Sequence, residues 1–209
     1  VTVDNLEFQG SLIQGRNEPA NAIQDNGNPI NATVSNSQFG NFTNTDVLNL
    51  APGDGSPGIT TVNDNTFTDI DAIPINIDTT NTVVSDGDDV EINSNTITLS
   101  SGSNDLIQVD DSSNSGTDAT VSLTDNTLDG PGSSGVGIDL GATNALGSGT
   151  VDIDGGSIAN VSTGISAGVD GSDLNITNVE ISSVGGNAIA SSNGVADLRV
   201  DGVTVNNAG

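Results

Sequence analysis

The amino-acid sequence predicts a parallel β-solenoid, and three observations lead to that fold class. An eight-residue pattern, apolar-x-apolar-x-polar-polar-x-apolar, recurs eight times at intervals of 23 to 31 residues. Within each copy, apolar and polar residues alternate with the period of a strand that has one buried face, and helical spacing is absent. Strands this short cannot close a sheet within one repeat, so we expect them to stack on their equivalents in the next repeat.

Each copy predicts a short strand, a sharp polar turn and a second short strand. Asn is frequent at the two turn positions; stacked Asn side chains can hydrogen-bond along the axis, and Asn tolerates left-handed backbone. Asn5, Asn36 and Asn178 hold the first turn position, and Asn65, Asn95 and Asn126 hold the second. The copies begin at Val1, Ala32, Thr60, Val90, Val121, Val151, Leu174 and Leu198.

The last apolar position of each copy predicts an inner column of the stack. Its bulk falls along the axis, because three of the four Phe residues are consecutive in it. The column is Phe8, Phe39, Phe67, Ile97, Leu128, Ile158, Ile181 and Val205.

A further apolar cluster follows the turn in six of the copies and predicts a third strand per coil. These clusters are residues 47–50, 73–77, 106–109, 136–140, 165–167 and 188–190.

Five stretches rich in Gly, Ser, Asn, Asp or Pro predict surface loops between the strands. No shift in composition marks a boundary, so we expect one domain over residues 1–209, with about seven to eight coils. Because the chain opens on Val1 rather than on Met, we expect it to be a segment of a longer chain. The loop stretches are residues 9–21, 51–59, 79–89, 110–120 and 142–149.

These coils resemble the right-handed parallel β-helix proteins of the pectate-lyase-like superfold, which includes bacterial adhesin and autotransporter passenger segments and phage tailspikes. The likeness is carried by V-x-I-x-x-N-T-[FIL] turns followed by a G-[IV]-x-[VIL] strand, and it covers essentially the whole chain. It implies an all-β, right-handed coil. It does not choose a function, since the superfold hosts lyases, hydrolases and inert stalks.

Composition excludes several classes of function. The chain has 28 acidic residues against two basic ones, Arg16 and Arg199, and a net charge of −26. Such a surface repels nucleic acid and anionic membranes, and no apolar run is long enough to insert into a bilayer. The absence of His and Cys removes the usual general base, the thiol nucleophile and the usual zinc ligands.

Two motifs imitate those of polygalacturonase-like members of the superfold. They are Asn44-Thr45-Asp46 and Asp110-Asp111, but the accompanying G-H-G and R-x-K motifs cannot occur without His and Lys. A carboxylate-pair glycosidase needs only two acids at roughly 5 to 10 Å. If the chain is an enzyme, we expect its catalytic residues among Asp78, Asp110, Asp111 and Asp139, which stacking could place on one face.

The densest acidic turn, residues 85–89, is a weak candidate for binding Ca²⁺. Its carboxylates Asp86, Asp88 and Asp89 surround a Gly bend, and a hard cation prefers such oxygen ligands. The turn lacks the full pattern of a calcium-binding loop. We therefore expect no required cofactor, with Ca²⁺ as the one ion to test.

These observations favour a non-enzymatic, structural or adhesive segment of a secreted or cell-surface protein, stacking end to end into a stalk or filament. Its expected partners are further coils of the same chain or identical subunits, together with surface glycans or another cell. The alternative is a β-helix enzyme, a polysaccharide lyase or a glycoside hydrolase.

Overall fold

The computed structural model is an all-β parallel solenoid built from three sheets. No helix long and apolar enough to cross a membrane occurs in the part of the chain that it describes. The described residues are 1–9, 22–24, 31–43, 46–51, 59–78, 89–102, 104–110, 120–132, 134–141, 149–168, 172–191 and 195–208.

The first strand of every copy belongs to sheet A, which has eight described strands in parallel register. They are β1 (Thr2–Asp4), β4 (Thr33–Ser35), β7 (Ile59–Asn63), β10 (Asp89–Asn93), β13 (Thr120–Thr124), β16 (Thr150–Asp154), β19 (Asp173–Thr177) and β22 (Asp197–Asp201).

The second strand of every copy belongs to sheet B, also with eight described strands. They are β2 (Glu7–Gln9), β5 (Gln38–Gly40), β8 (Thr66–Thr68), β11 (Thr96–Thr98), β14 (Thr127–Asp129), β17 (Ser157–Ala159), β20 (Glu180–Val184) and β23 (Thr204–Ala208).

Sheet C collects the third strands, of which seven are described. The six apolar clusters supply six of them, and the prediction of a third strand is confirmed there. The sequence analysis missed the seventh, Ile23–Gln24, because two residues are too few to show alternation. The strands are β3 (Ile23–Gln24), β6 (Leu48–Leu50), β9 (Ile75–Asp78), β12 (Ile107–Asp110), β15 (Val136–Leu140), β18 (Thr163–Ala167) and β21 (Ile189–Ser191).

The core is a narrow column of Val, Ile, Leu and Phe enclosed by the three sheets. The predicted aromatic column is confirmed: the rings of Phe8 and Phe39 lie 4.9 Å apart, and those of Phe39 and Phe67 are also 4.9 Å apart. Phe39 and Phe67 are fully buried, while Phe8, in the first coil, is partly buried. Strand register thus converts one alternating pattern into continuous apolar columns.

A hydrogen-bonded ladder of Asn side chains runs along the turn between sheets A and B, as the sequence predicted, and these side chains are buried. The Asn65 Nδ2 donates to Asn95 Oδ1 at 3.0 Å, and the Asn95 Nδ2 donates to Asn126 Oδ1 at 3.1 Å. The same amide nitrogens also donate to main-chain carbonyls, Asn95 Nδ2 to Val62 O at 2.7 Å. Each side chain therefore satisfies buried backbone groups of the coil beneath it.

The ladder ends at Gly156, which takes the place of the next Asn. Its φ is +75°. A Cβ there would lie 2.7 Å from the backbone nitrogen of Asn126 and closer still to the backbone carbonyl oxygen of Asn126. Gly202 shares the left-handed backbone, with φ +65°, but its Cβ would meet the side-chain oxygen of Asn178, which is exposed.

We predict that Gly156→Ala lowers the free energy of unfolding by about 2 kcal/mol, from backbone strain and overlap together. Gly202→Ala is the matched control: it carries similar strain, but the Asn178 side chain can rotate away. Urea unfolding of both variants checks this, and an equal loss in the two would show that the overlap with Asn126 is unimportant.

Candidate functional site

Three of the predicted residues, Asp78, Asp110 and Asp139, lie on neighbouring strands of sheet C. Asp78 and Asp110 are paired in register on β9 and β12, and Asp139 on β15 is paired with Gln108 on β12. Gln108 and Asp110 are two residues apart, so their positions belong to the same face of the strand. Asp111 lies outside the described residues, as do the side chains of Asp78 and Asp110.

A pair of carboxyl groups, Asp105 and Asp139, bridges two successive coils at this face. Asp105 Oδ1 accepts the backbone N–H of Val136 at 3.0 Å, and Asp139 is close enough to perturb the Asp105 carboxyl. Burial raises the pKa of Asp105 to about 6, and the negative charge of Asp139 adds to the rise. The Asp105 carboxyl is therefore protonated more readily than an ordinary aspartate.

Sequence reasoning found Asp139 and missed Asp105. Asp105 precedes the apolar run that begins at Leu106, and its neighbours give it no motif. Its partners are 31 and 34 residues away, on the following coil. To bring the two carboxyl groups together from the sequence, one would have to know that Leu106 pairs with the first residue of β15 in the next coil.

An open depression of about 330 Å³ lies beside the pair, on its C-terminal side. Asp139 lines it together with the hydroxyl-bearing Ser166 and Ser191, and Gly and Ala complete the lining. None of the described residues that line it has an aromatic side chain of the kind that stacks against a sugar ring. It offers hydroxyls and one carboxylate to a ligand.

The calcium candidates fall mostly beyond the described part of the chain. Asp86 and Asp88 lie outside it, as does the side chain of Asp89, whose backbone begins β10 and pairs with Ile59 and Thr120. Among the described residues, no group of three or more Asp or Glu side chains is arranged to hold a metal ion.

Elsewhere, neutral donors from the next coil satisfy the carboxylates. Asp4 accepts from the Asn36 amide and the Ser35 hydroxyl, at 2.8 and 2.9 Å. Asp154 accepts from Thr177 and Asn178 at 2.5 and 2.9 Å. Similar contacts join Asn160 to Asp129, Asn175 to Asp152, and Asn76 to Asp46.

These neutral contacts make two carboxylates more acidic. Hydrogen bonds from Asn36 and then Ser35 lower the pKa of Asp4, and those from Thr177 and then Asn178 lower the pKa of Asp154. Their stabilising contribution is complete above the ordinary pKa of Asp and is lost as the pH falls through the lowered value. A chain with almost no cations thus uses amides and hydroxyls to organise its acidic surface.

The remaining motif residues either form hydrogen bonds or ion pairs with neighbouring side chains or lie outside the described residues. Asp46 of the Asn-Thr-Asp motif is bound by Asn76 Nδ2 at 2.9 Å, while Asn44 and Thr45 are outside the described residues, as is Arg16. Arg199 pairs with Asp201 at 3.1 Å on the exposed face of β22.

Comparison with known proteins found no matching family model, no matching curated protein and no matching solved structure.

Proposed function

We propose that this chain is an acidic, non-enzymatic β-helical segment of a secreted or cell-surface protein, with a structural and adhesive role outside the cell. Further coils or identical subunits cover its ends, so that it is part of a stalk or filament. It needs no cofactor, and Ca²⁺ acts at most by screening the repulsion among its carboxylates.

The exposed end of the solenoid carries this proposal. Leu198, Val200 and Val205 are 42%, 47% and 46% exposed, whereas the residues at the same positions one coil earlier, Leu174, Ile176 and Ile181, are fully buried. At the other end, Val1 is 69% exposed and Leu6 is 51% exposed.

Backbone groups at both ends add to the argument. Strands β22 and β23 form one edge of sheets A and B, and β1 and β2 form the opposite edge. Edge strands with unpaired N–H and C=O groups above an apolar surface bind another strand of the same kind unless charge or proline blocks it. A coil that repeats the pattern supplies both the hydrogen bonds and the apolar contacts.

The outward face of sheet B supports an adhesive role. Thr66, Thr68, Thr96, Thr98 and Thr127 are exposed there in adjacent columns. Within the described structure, no side-chain hydrogen bond uses their hydroxyls, in contrast to the occupied hydroxyls of Ser35 and Thr177 on sheet A. A neutral surface glycan is a suitable partner, because its hydroxyl groups can hydrogen-bond to these threonines and it carries no charge for the acidic chain to repel.

We predict that the chain associates through its ends as its concentration rises, since burial of edge groups and apolar side chains favours pairing. Replacing Val200 and Val205 by Lys should abolish the association, and Thr98→Lys on the face of sheet B should leave it intact. Sedimentation velocity over a range of concentrations measures this. A wild-type chain that stays monomeric throughout would count against end-to-end stacking.

One observation favours the enzyme as a second candidate. The pKa of Asp105 is raised to about 6, its neighbour Asp139 lines an open depression, and an acid that protonates readily next to a carboxylate is what acid–base catalysis requires. The lack of an aromatic side chain among the described residues that line the depression argues against a glycosidase. Assays for reducing ends and unsaturated products on a panel of polysaccharides, with and without Ca²⁺, decide between the two. If the chain turns over a polysaccharide and the Asp139→Asn variant does not, the enzyme would be favoured over the structural segment.

A further inference from the structure

The outward face of the last three strands of sheet A is dense in carboxylates. Side chains alternate between core and surface along β16, β19 and β22, so each strand has three outward positions. Five of these nine positions are Asp, three are Thr or Asn, and one is Arg. The five acidic residues are Asp152, Asp154, Asp173, Asp197 and Asp201.

Neutral donors, rather than cations, contact two of these carboxylates. Asn175 Nδ2 donates to Asp152 at 2.8 Å, and the Thr177 hydroxyl donates to Asp154 at 2.5 Å. Within the described structure, one of the five, Asp201, has a cation beside it, the Arg of its own strand at 3.1 Å. A neutral donor orients a carboxylate but leaves its negative charge in place, so most of the charge on this face is uncompensated.

Asp173 and Asp197 are stacked on successive coils. They are paired in register on β19 and β22, and both are exposed. No side-chain hydrogen bond or ion pair within the described part of the chain involves either of them. Neighbouring strands lie about 4.8 Å apart, and like charges opposite each other on neighbouring strands destabilise their pairing.

The ionic strength decides how strongly such carboxylates repel each other. The Debye length is about 10 Å at 0.1 M ionic strength and about 3 Å at 1 M. Carboxylates one coil apart, at about 4.8 Å, therefore lie well within the Debye length at the lower ionic strength and beyond it at the higher one. The same comparison applies along the whole chain, whose net charge is −26.

We propose that the solenoid is built for concentrated salt: monovalent cations at about molar concentration supply the counter-charge that the chain lacks, by screening carboxylates stacked on successive coils. Dilution to about 0.1 M salt loosens the contacts between the coils. The cations form a diffuse layer over the acidic surface and occupy no fixed site. This inference is independent of the proposed stalk function, and it specifies the medium in which the coils stay closed.

Urea unfolding in NaCl from about 0.1 M to about 3 M measures the effect. We expect the unfolding equilibrium constant to fall about a hundredfold between about 0.1 M and 2 M NaCl, because relief of each nearest-neighbour repulsion changes it several-fold. KCl should act as NaCl does. A constant that does not change above about 0.1 M salt would overturn the proposal. So would full stabilisation by about 1 mM CaCl₂, because it would show a specific cation site.

Two variants of β22 test whether the salt acts on stacked carboxylates. Asp197→Asn and Asp201→Asn each remove one negative charge, but Asp197 is stacked on Asp173 whereas Asp201 is paired with Arg199. In about 0.1 M NaCl we expect Asp197→Asn to lower the unfolding equilibrium constant about threefold and to gain less from added salt. Asp201→Asn, which also loses an attraction, should stabilise less. Equal effects of the two variants, or no stabilisation by Asp197→Asn, would overturn the proposal.

Discussion

Truncating Phe67 to Ala is expected to lower the free energy of unfolding by about 4 kcal/mol. The Phe67 ring is completely buried, stacks on Phe39 at 4.9 Å, and lies in register with Ile97 of the next coil. Its removal leaves a cavity that rigid coils on both sides cannot fill by moving, because their spacing is fixed by backbone hydrogen bonds.

Phe8→Ala is the matched control for Phe67→Ala. The Phe8 ring stacks on Phe39 alone and is partly buried in the first coil, so less than half of the loss is expected. Urea unfolding followed by circular dichroism measures both variants. Equal losses at Phe8 and Phe67 would contradict an aromatic column that is packed more tightly inside the stack than at its end.

Replacing Asn95 by Ala is expected to cost on the order of 3 kcal/mol, although it removes little apolar surface. The side-chain oxygen of Asn95 accepts the backbone N–H of Asn65 and the Asn65 Nδ2, each at 3.0 Å, and its own Nδ2 donates to Val62 O at 2.7 Å. The truncation leaves the Asn65 donors and the Val62 carbonyl without these hydrogen bonds. Water does not reach the site to replace them, because Asn95 is fully buried.

Asn206→Ala removes the same atoms from an exposed position in β23 and should change stability by less than about 0.5 kcal/mol. Thermal unfolding of the two variants gives the comparison. A mild effect at Asn95 would mean that the Asn ladder is not what satisfies the backbone groups of the turn.

The fold was predictable because the features that define it are periodic. The positions of Phe8, Phe39 and Phe67 differ by about one coil, so stacking them follows from the repeat alone. The same reasoning placed Asn65, Asn95 and Asn126 at one turn position, where their side chains can hydrogen-bond along the axis, but it gave no indication that they are buried. Alternation fixes which residues face the core, and core packing then fixes the register.

The Asp105–Asp139 pair could not be predicted in the same way. Neither residue belongs to the repeated pattern, and their contact depends on how sheet C of one coil lies over the next. Loop lengths between the strands vary from coil to coil, so residues outside the pattern have no fixed sequence spacing. The sequence placed Asp139 on an acidic face but gave no reason to choose Asp105 as its partner.

Electron cryomicroscopy of the end-to-end particles formed by the 209-residue chain tests the central claim most directly. The account predicts rods in which successive chains join with the same rise of about 4.8 Å per coil across the junction, so that the seam is a continuation of sheets A and B. Each chain should add about 38 Å, which is eight rises for its eight-stranded sheets. Particles joined side by side, or single chains with both terminal coils open to solvent, would contradict it.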